Sequence, residues 1–212
     1  MKKLISIILI TLMTIASCKK DEDENIVYQT NFSKNNGWYI EESDNYSHRI
    51  NQGKYEIEVN SPDYYAYSIA PYSDITFDYS ISVDCSLILD DTTKFGALGL
   101  VYNFFDNNYF TFFLIDNNGY FQVTKREGPN LKVLVQSNLN NGILNNSGQT
   151  NRLEVIQRSA STEFKVNNIV VGTLSYGRNY PKVKAGLVTL SATDPGFTKV
   201  KAIFDNFTIM RL

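Results

Sequence analysis

Alternation with a period of two, broken by Asn-, Asp- and Gly-rich steps, is the feature that most restricts this 212-residue chain. Successive side chains of a strand point to opposite faces, so a strand with one wet face alternates apolar and polar residues. Lys54 to Asn60 sets Tyr55, Ile57 and Val59 against Glu56 and Glu58, and Ser80 to Leu89 alternates likewise through Cys85. Leu98 to Phe105 and Tyr109 to Ile115 flank Asp106-Asn107-Asn108, a hairpin connection, and Asp116-Asn117-Asn118-Gly119 turns the chain into Tyr120 to Arg126. These residues adopt left-handed backbone at low cost, as tight hairpin turns demand. Asn151 to Arg158, Glu163 to Val166 and Ile169 to Thr173 make a second meander turning at Asn167-Asn168, and Lys184 to Ser191 and Val200 to Arg211 close the chain. No segment carries a sustained helical stripe. The pattern predicts an all-β chain. About a dozen strands with apolar runs such as Tyr109 to Ile115 require two packed antiparallel sheets, a β-sandwich or jelly roll, with a closed barrel as the alternative.

The first eighteen residues follow different rules. Lys2 and Lys3 precede an almost unbroken apolar stretch from Leu4 to Ile15, which ends in Ile15-Ala16-Ser17-Cys18. A run of about a dozen residues suits a signal peptide and is short for a membrane span of roughly 20. Its end resembles the lipobox of bacterial lipoproteins, with isoleucine in place of the usual leucine. That resemblance implies cleavage after residue 17, lipidation of Cys18 and membrane attachment through the lipid. Lys19-Lys20-Asp21-Glu22-Asp23-Glu24-Asn25 cannot bury apolar surface and is expected to be a solvated tether. It resembles the export signal of surface lipoproteins in the Bacteroidetes, which implies an outer-membrane protein exposed on the cell surface; an ordinary polar spacer is the other reading. The expected organisation is therefore a signal peptide (1–17), a lipidated cysteine and acidic linker (18–25), and one β domain (26–212).

Loss of Lys2 and Lys3 with the leader takes the formal charge from −2 to −4. A mildly acidic chain without a basic cluster is a poor partner for nucleic acid. Cys85 is the cysteine left once Cys18 is acylated, so no internal disulfide is expected, and no Cys/His spacing suits a metal. Cys85 shares its phase with Ile81, Val83, Leu87 and Leu89, as a small core hydrophobe would.

Several stretches resemble the concanavalin A-like lectin and glucanase jelly roll: Gly99-Leu100-Val101-Tyr102, Asn108-Tyr109-Phe110-Thr111-Phe112, Asn118-Gly119-Tyr120-Phe121-Gln122-Val123, Asn151-Arg152-Leu153-Glu154-Val155, Phe164-Lys165-Val166-Asn167, Ala185-Gly186-Leu187 and Phe204-Asp205-Asn206-Phe207. Within that fold the chain is most similar to lipoproteins with domains like 3-keto-disaccharide hydrolases. The resemblance implies two curved antiparallel sheets whose concave face often receives a glycan, in hydrolases, lectins and non-catalytic modules alike. It also implies a structural Ca²⁺ near Asp205, where first and last strands meet; a bulge or capping hydrogen bond from Asp205 to nearby backbone is the competing reading. No other cofactor is expected.

The central hairpin supplies the candidate ligand face. Phe110, Phe112 and Leu114, with Phe121, Val123 and Lys125, are read as largely core; Tyr109, Thr111 and Phe113, with Tyr120, Gln122, Thr124 and Arg126, form the opposite phase. A face that mixes rings with hydrogen-bonding groups suits sugars, whose C–H surfaces stack on rings and whose hydroxyls need oriented partners. Tyr102, Glu154 and Arg158 join it if neighbouring strands align. The expected set is Tyr102, Tyr109, Thr111, Tyr120, Gln122, Arg126 and Glu154. An ordinary exposed sheet face is the alternative, since Tyr and Thr favour strands in any case.

Catalysis finds less support. A glycosidase normally needs two carboxyls set about 5–10 Å apart. The Glu-x-Asp-x-x-Glu strand motif of the glucanases resembling this fold is absent from residues 26–212. Glu56 and Glu58 point the same way but form the polar phase of an amphipathic strand. Glu154 is the residue to test first if the domain is a hydrolase or lyase. His48 lies in the polar stretch Asp44-Asn45-Tyr46-Ser47-His48, which reads as a surface loop. The expected function is non-catalytic glycan binding, with a glycoside-active enzyme and a protein-contact domain as rivals. A carboxyl pair at the bottom of a cleft would favour the enzyme, and a smooth, fully packed concave side the protein contact.

Overall fold

The structure, a computed structural model, describes residues 25–139, 148–177, 180–193 and 195–212. The expected signal segment, Cys18, nearly all of the expected acidic linker and residues 140–147 lie outside the described residues. Fifteen strands run through the described part: β1 (Ile26–Thr30), β2 (Glu41–Glu42), β3 (Tyr46–Asn51), β4 (Lys54–Val59), β5 (Tyr65–Ile69), β6 (Tyr79–Leu89), β7 (Gly96–Asp106), β8 (Tyr109–Asp116), β9 (Tyr120–Glu127), β10 (Asn130–Asn138), β11 (Asn151–Gln157), β12 (Thr162–Val166), β13 (Ile169–Leu174), β14 (Lys184–Ser191) and β15 (Val200–Arg211). They form two antiparallel sheets, as the alternation predicts. The nine-stranded sheet runs β13-β12-β11-β6-β15-β4-β3-β2, with β1 also paired to β15, and the six-stranded sheet runs β10-β9-β8-β7-β14-β5.

The main core lies between the sheets. The nine-stranded sheet contributes one phase of each strand, among them Ile57 and Val59, Ile81, Val83 and Cys85, and Leu153 and Val155; the six-stranded sheet answers with Leu98, Leu100 and Tyr102, Phe113 and Ile115, and Phe121 and Val123. Cys85 packs there as the alternation predicts, its Sγ 3.4 Å from the Asn151 carbonyl oxygen, and burial pushes its thiol pKa up. Strand β15 changes phase halfway. A bulge between Asp205 and Thr208, with Asn206 at φ 51°, lets Ala202 and Phe204 on one side and Phe207 and Ile209 on the other all face the core.

Trp38 ties the chain ends into this core. Its ring lies 5.2 Å from Phe32, 5.1 Å from Tyr55 and 5.2 Å from Phe207, and its indole N–H donates to the Tyr28 hydroxyl at 2.8 Å. Replacing Trp38 by Ala removes the hub of four side chains and leaves a cavity. The expected loss is about 3–5 kcal/mol, seen in urea unfolding followed by circular dichroism as a lower midpoint with an unchanged slope; a loss under about 1 kcal/mol would contradict the packing described.

Candidate functional site

The side of the six-stranded sheet that faces away from the main core is also apolar. Its register places Ile69, Gly186, Val101, Phe112 and Thr124 in one row across the strands and Tyr67, Val188, Gly99, Leu114 and Gln122 in the next. Gly99 and Gly186 leave the middle of this face low. No side chain fits there, because an added Cβ would come within 1.9 Å of the Phe113 carbonyl oxygen at Gly99 and 2.1 Å of that of Ser68 at Gly186. Rings from the flanking strands fold over the gap: Tyr65 lies 5.5 Å from Phe112 and Tyr67 5.5 Å from Phe110. Strands β5 and β8 are three places apart, about 14 Å on a flat sheet, so the sheet must curl toward these rings. Arg126 on β9 reaches further still. Its guanidinium donates to the Tyr65 hydroxyl and sits 5.9 Å from the Phe110 ring. This is the concave face, and its centre is filled by its own side chains: Phe110 is 2% and Phe112 1% exposed.

Open space remains where this face rounds the β5 edge. A cavity of about 490 Å³ is lined there by Tyr39, Tyr46, His48, Tyr64, Tyr65 and Tyr67, with Ala66 and Asn107 completing it; a second hollow of about 390 Å³ adjoins it at Asp63, Tyr64, Tyr65 and Tyr67. The local sequence explains the crowding. Tyr64 immediately precedes the edge strand β5, where Tyr65 and Tyr67 share one phase, so rings stand on either side of the backbone. Tyr64 stacks on Tyr46 from the other sheet at 5.7 Å, while Tyr65 stacks on Tyr67 at 6.2 Å and the Tyr67 hydroxyl donates to Asn107 Oδ1 at 2.8 Å. Opposite, the Tyr39 and Tyr46 hydroxyls both donate to Glu41 Oε2, and the Tyr39 hydrogen bond above all holds the Glu41 carboxyl below its usual pKa.

His48 departs from the expectation of a surface loop. It lies on β3 opposite Ile57, on the inward phase, and is 3% exposed. Polar neighbours disguise the strand, because Tyr46, His48 and Ile50 are its apolar-side residues and only one of them is aliphatic. The imidazole lies 5.3 Å from the Tyr39 ring and 5.2 Å from that of Tyr46, and neither of its nitrogens has a hydrogen-bond partner among the described residues. Burial lowers its pKa from 6.5 to about 4.

The residues singled out in sequence do not share one face. Tyr102 and Thr111 are opposite one another on the side facing the other sheet and are almost fully buried, with Tyr102 against Phe164 at 5.7 Å. Tyr109 has the same phase at the strand end, where it is exposed beside Tyr180. Gln122 and Arg126 lie on the concave side, and Tyr120 shares their phase at the exposed start of β9. The expected grouping thus splits, and the assignment of Phe110, Phe112 and Leu114 to the main core is corrected: Phe113 and Ile115 take that place. Strand β8 is aromatic on both phases, so alternation could not say which one faces the other sheet. Glu154 is on the outer side of the nine-stranded sheet, 3.3 Å from the Lys165 ammonium, which also holds Glu163 at 3.4 Å. Arg158 lies beyond the end of β11, exposed. Glu56 and Glu58 occupy the same outer side. Arg49 binds both, and Lys199 and Lys201 also bind Glu58. Burial raises the Glu58 pKa, but these cations together bring it below the usual carboxylate value, the reverse of what a general acid needs. Sequence reasoning missed the β5 edge, although Asp63-Tyr64-Tyr65-Ala66-Tyr67 is a visible tyrosine cluster.

Asp205 fits its bulge better than a metal. Its Oδ1 accepts the Asn206 backbone N–H at 2.8 Å, its Oδ2 lies 3.4 Å from the Lys54 ammonium, and Asn206 Nδ2 donates to the neighbouring Asp84 at 2.8 Å. Calcium takes six to eight oxygens. Among the described residues no group of three or more His, Cys, Asp or Glu side chains is placed to hold a metal ion. The residues at Asp205 do not fit Ca²⁺.

No protein-family model and no curated protein matches the chain. Solved structures do. Bacillus subtilis carbohydrate-binding module CBM66 is 13% identical, with a TM-score of 0.55 over 73% of this chain and 86% of that one. Bacillus licheniformis β-glucanase is 11% identical, with a TM-score of 0.61 over 87% and 98%. The Emp47p carbohydrate recognition domain is also 11% identical, with a TM-score of 0.62 over 89% and 97%. At such identities the likeness is one of fold: a concanavalin A-like lectin and glucanase jelly roll.

The buried imidazole makes stability pH-dependent. The folded state binds the His48 proton less tightly than the unfolded state, so stability falls as pH drops from about 6.5 toward 4. The two pKa values set the size at about 3 kcal/mol. Urea unfolding across this range is expected to show a loss that His48→Phe removes; parallel curves for the two proteins would refute the burial effect.

Proposed function

We propose that this domain binds glycans without cleaving them, on a lipoprotein held at the outer membrane by lipidated Cys18 and facing outward. The observation that carries the binding reading is the tyrosine-lined cavity at the β5 edge. Its volume of about 490 Å³ falls within the 300–1,000 Å³ typical of small-molecule sites. Its walls offer ring faces for sugar C–H surfaces beside hydroxyl, amide and imidazole groups for sugar hydroxyls. The fold supports the reading, since carbohydrate-binding modules and lectin-like domains share it with glucanases. Catalysis has less support. Neither hollow at the β5 edge is lined by two carboxylates among the described residues. Asp84 and Asp205 do line a hollow of about 190 Å³ on the opposite sheet, but Arg152 and Lys54 pair with them, and Glu154 and the Glu56/Glu58 pair stand on that sheet too. The filled centre of the concave face favours a protein contact as the second reading.

A glycan array probed with the full chain in detergent, with product analysis of each hit, separates these readings. Binding without products is expected. Tyr65→Ala and Tyr67→Ala should each weaken it about tenfold, roughly 1.4 kcal/mol, whereas Glu154→Gln should leave it unchanged. Shortened products that vanish in Glu154→Gln would establish the enzyme instead, and silence across the array would favour the protein contact. For the anchor, Cys18→Ser should abolish incorporation of labelled palmitate and move the chain out of the membrane fraction; retention in membranes without label would sink the lipid assignment.

A further inference from the structure

We propose that the β5-edge cavity takes an uncharged sugar unit and that His48 reads one of its hydroxyl groups. This rests on the glycan-binding reading and assigns its ligand class and its selecting residue. The starting point is an imidazole that the protein itself leaves incomplete. Both nitrogens of His48 are buried without a hydrogen-bond partner among the described residues, although buried polar groups are nearly always paired. Hydroxyl groups surround it, but each is engaged elsewhere: Tyr39 and Tyr46 donate to Glu41, and Tyr55 donates to the Tyr39 carbonyl oxygen. His48 nonetheless lines the cavity. A neutral imidazole presents one donor and one acceptor, and a sugar hydroxyl both donates and accepts. The Tyr39 ring, edge-on to the imidazole and 49% exposed, is the wall that yields to an incoming ligand.

The electrostatics select against acidic sugars. The cavity lining carries no Lys or Arg, Glu41 and Asp63 place carboxylates at its margins, and the Arg126 guanidinium is bound to the Tyr65 hydroxyl. Arg126 keeps its charge while bound to the neutral Tyr65 hydroxyl, so an anionic ligand would meet this one cation against two like charges.

A single histidine makes the test direct, because ¹⁵N-histidine labelling of the full chain in detergent reports on His48 alone. The probes are laminaritriose, cellotriose and trigalacturonate at millimolar concentration. We expect a neutral trisaccharide to bind and to shift both imidazole nitrogen signals, trigalacturonate to leave them in place, and His48→Phe to weaken neutral binding about tenfold or more. The shift in the native chain needs no variant, so a misfolded His48→Phe would not decide the outcome. Neutral binding with unmoved imidazole signals would overturn the role of His48 while sparing glycan binding. Trigalacturonate binding as tight as that of the neutral sugars would overturn the charge selection. Absence of binding by all three would remove the inference together with the reading beneath it.

Discussion

Phe110 and Phe112 point away from the main core and are nonetheless almost fully buried. Everything distinctive about the six-stranded sheet follows from that constraint. A sheet that is apolar on both faces cannot leave one of them flat against water, and burying it is the dominant favourable term available. Here the sheet closes on itself. Glycines at positions 99 and 186 lower its middle, rings from β5 and β8 meet above them, and Arg126 bridges to Tyr65 over the top. The same curl presents β5 as a rim, with Tyr64 reaching the other sheet and Tyr65 and Tyr67 facing the concave side. The cavity is the space left at that rim.

The outer side of the nine-stranded sheet is built on the opposite principle. Arg152 pairs with Asp84, Lys165 with Glu154 and Glu163, and Arg49, Lys199 and Lys201 with Glu56 or Glu58. Partly exposed pairs of this kind contribute little stability each, but they leave the carboxylates of that face matched by cations. A surface so neutralised is suited to water. The two outer faces of the sandwich therefore differ in kind: one is a charge-matched solvated sheet, the other a ring-filled concavity with an open edge.

The same architecture serves a carbohydrate-binding module, a carbohydrate recognition domain and a glucanase, so the scaffold alone does not choose among activities. The choice rests with the few side chains set where the scaffold leaves room. At the β5 edge those are mainly tyrosines and one histidine, and no carboxylate is among the described residues that line the larger cavity. His48 shares with Ser47, Asn60, Ser68, Asn103 and Thr189 a buried polar atom without a partner among the described residues, and of these it is the one that lines the cavity. A buried polar group without partners works against stability, and local departures from what folding alone would favour concentrate at functional sites.

The all-β class, the strand positions of β4, from β6 to β9 and from β11 to β15, the turns between them and the burial of Cys85 were all legible in the alternation, because one apolar phase against one polar phase determines a strand and its inward face. Where both phases were apolar, as in β8, or the inward phase was polar, as at His48, the same rule was silent or misleading. Strands β1, β2, β3, β5 and β10 escaped for related reasons, their short or mixed patterns being weak against loop-like neighbours. The candidate site was least legible of all. Tyr39, Tyr46 and His48 come from one edge of the molecule's first hairpins, Tyr64 to Tyr67 from the edge of the other sheet, and Asn107 from a distant turn. Alternation is a local property and says which face a residue joins, whereas register and sheet curl decide which residues meet across that face, and these are set by long-range pairing and by the burial of a second apolar surface.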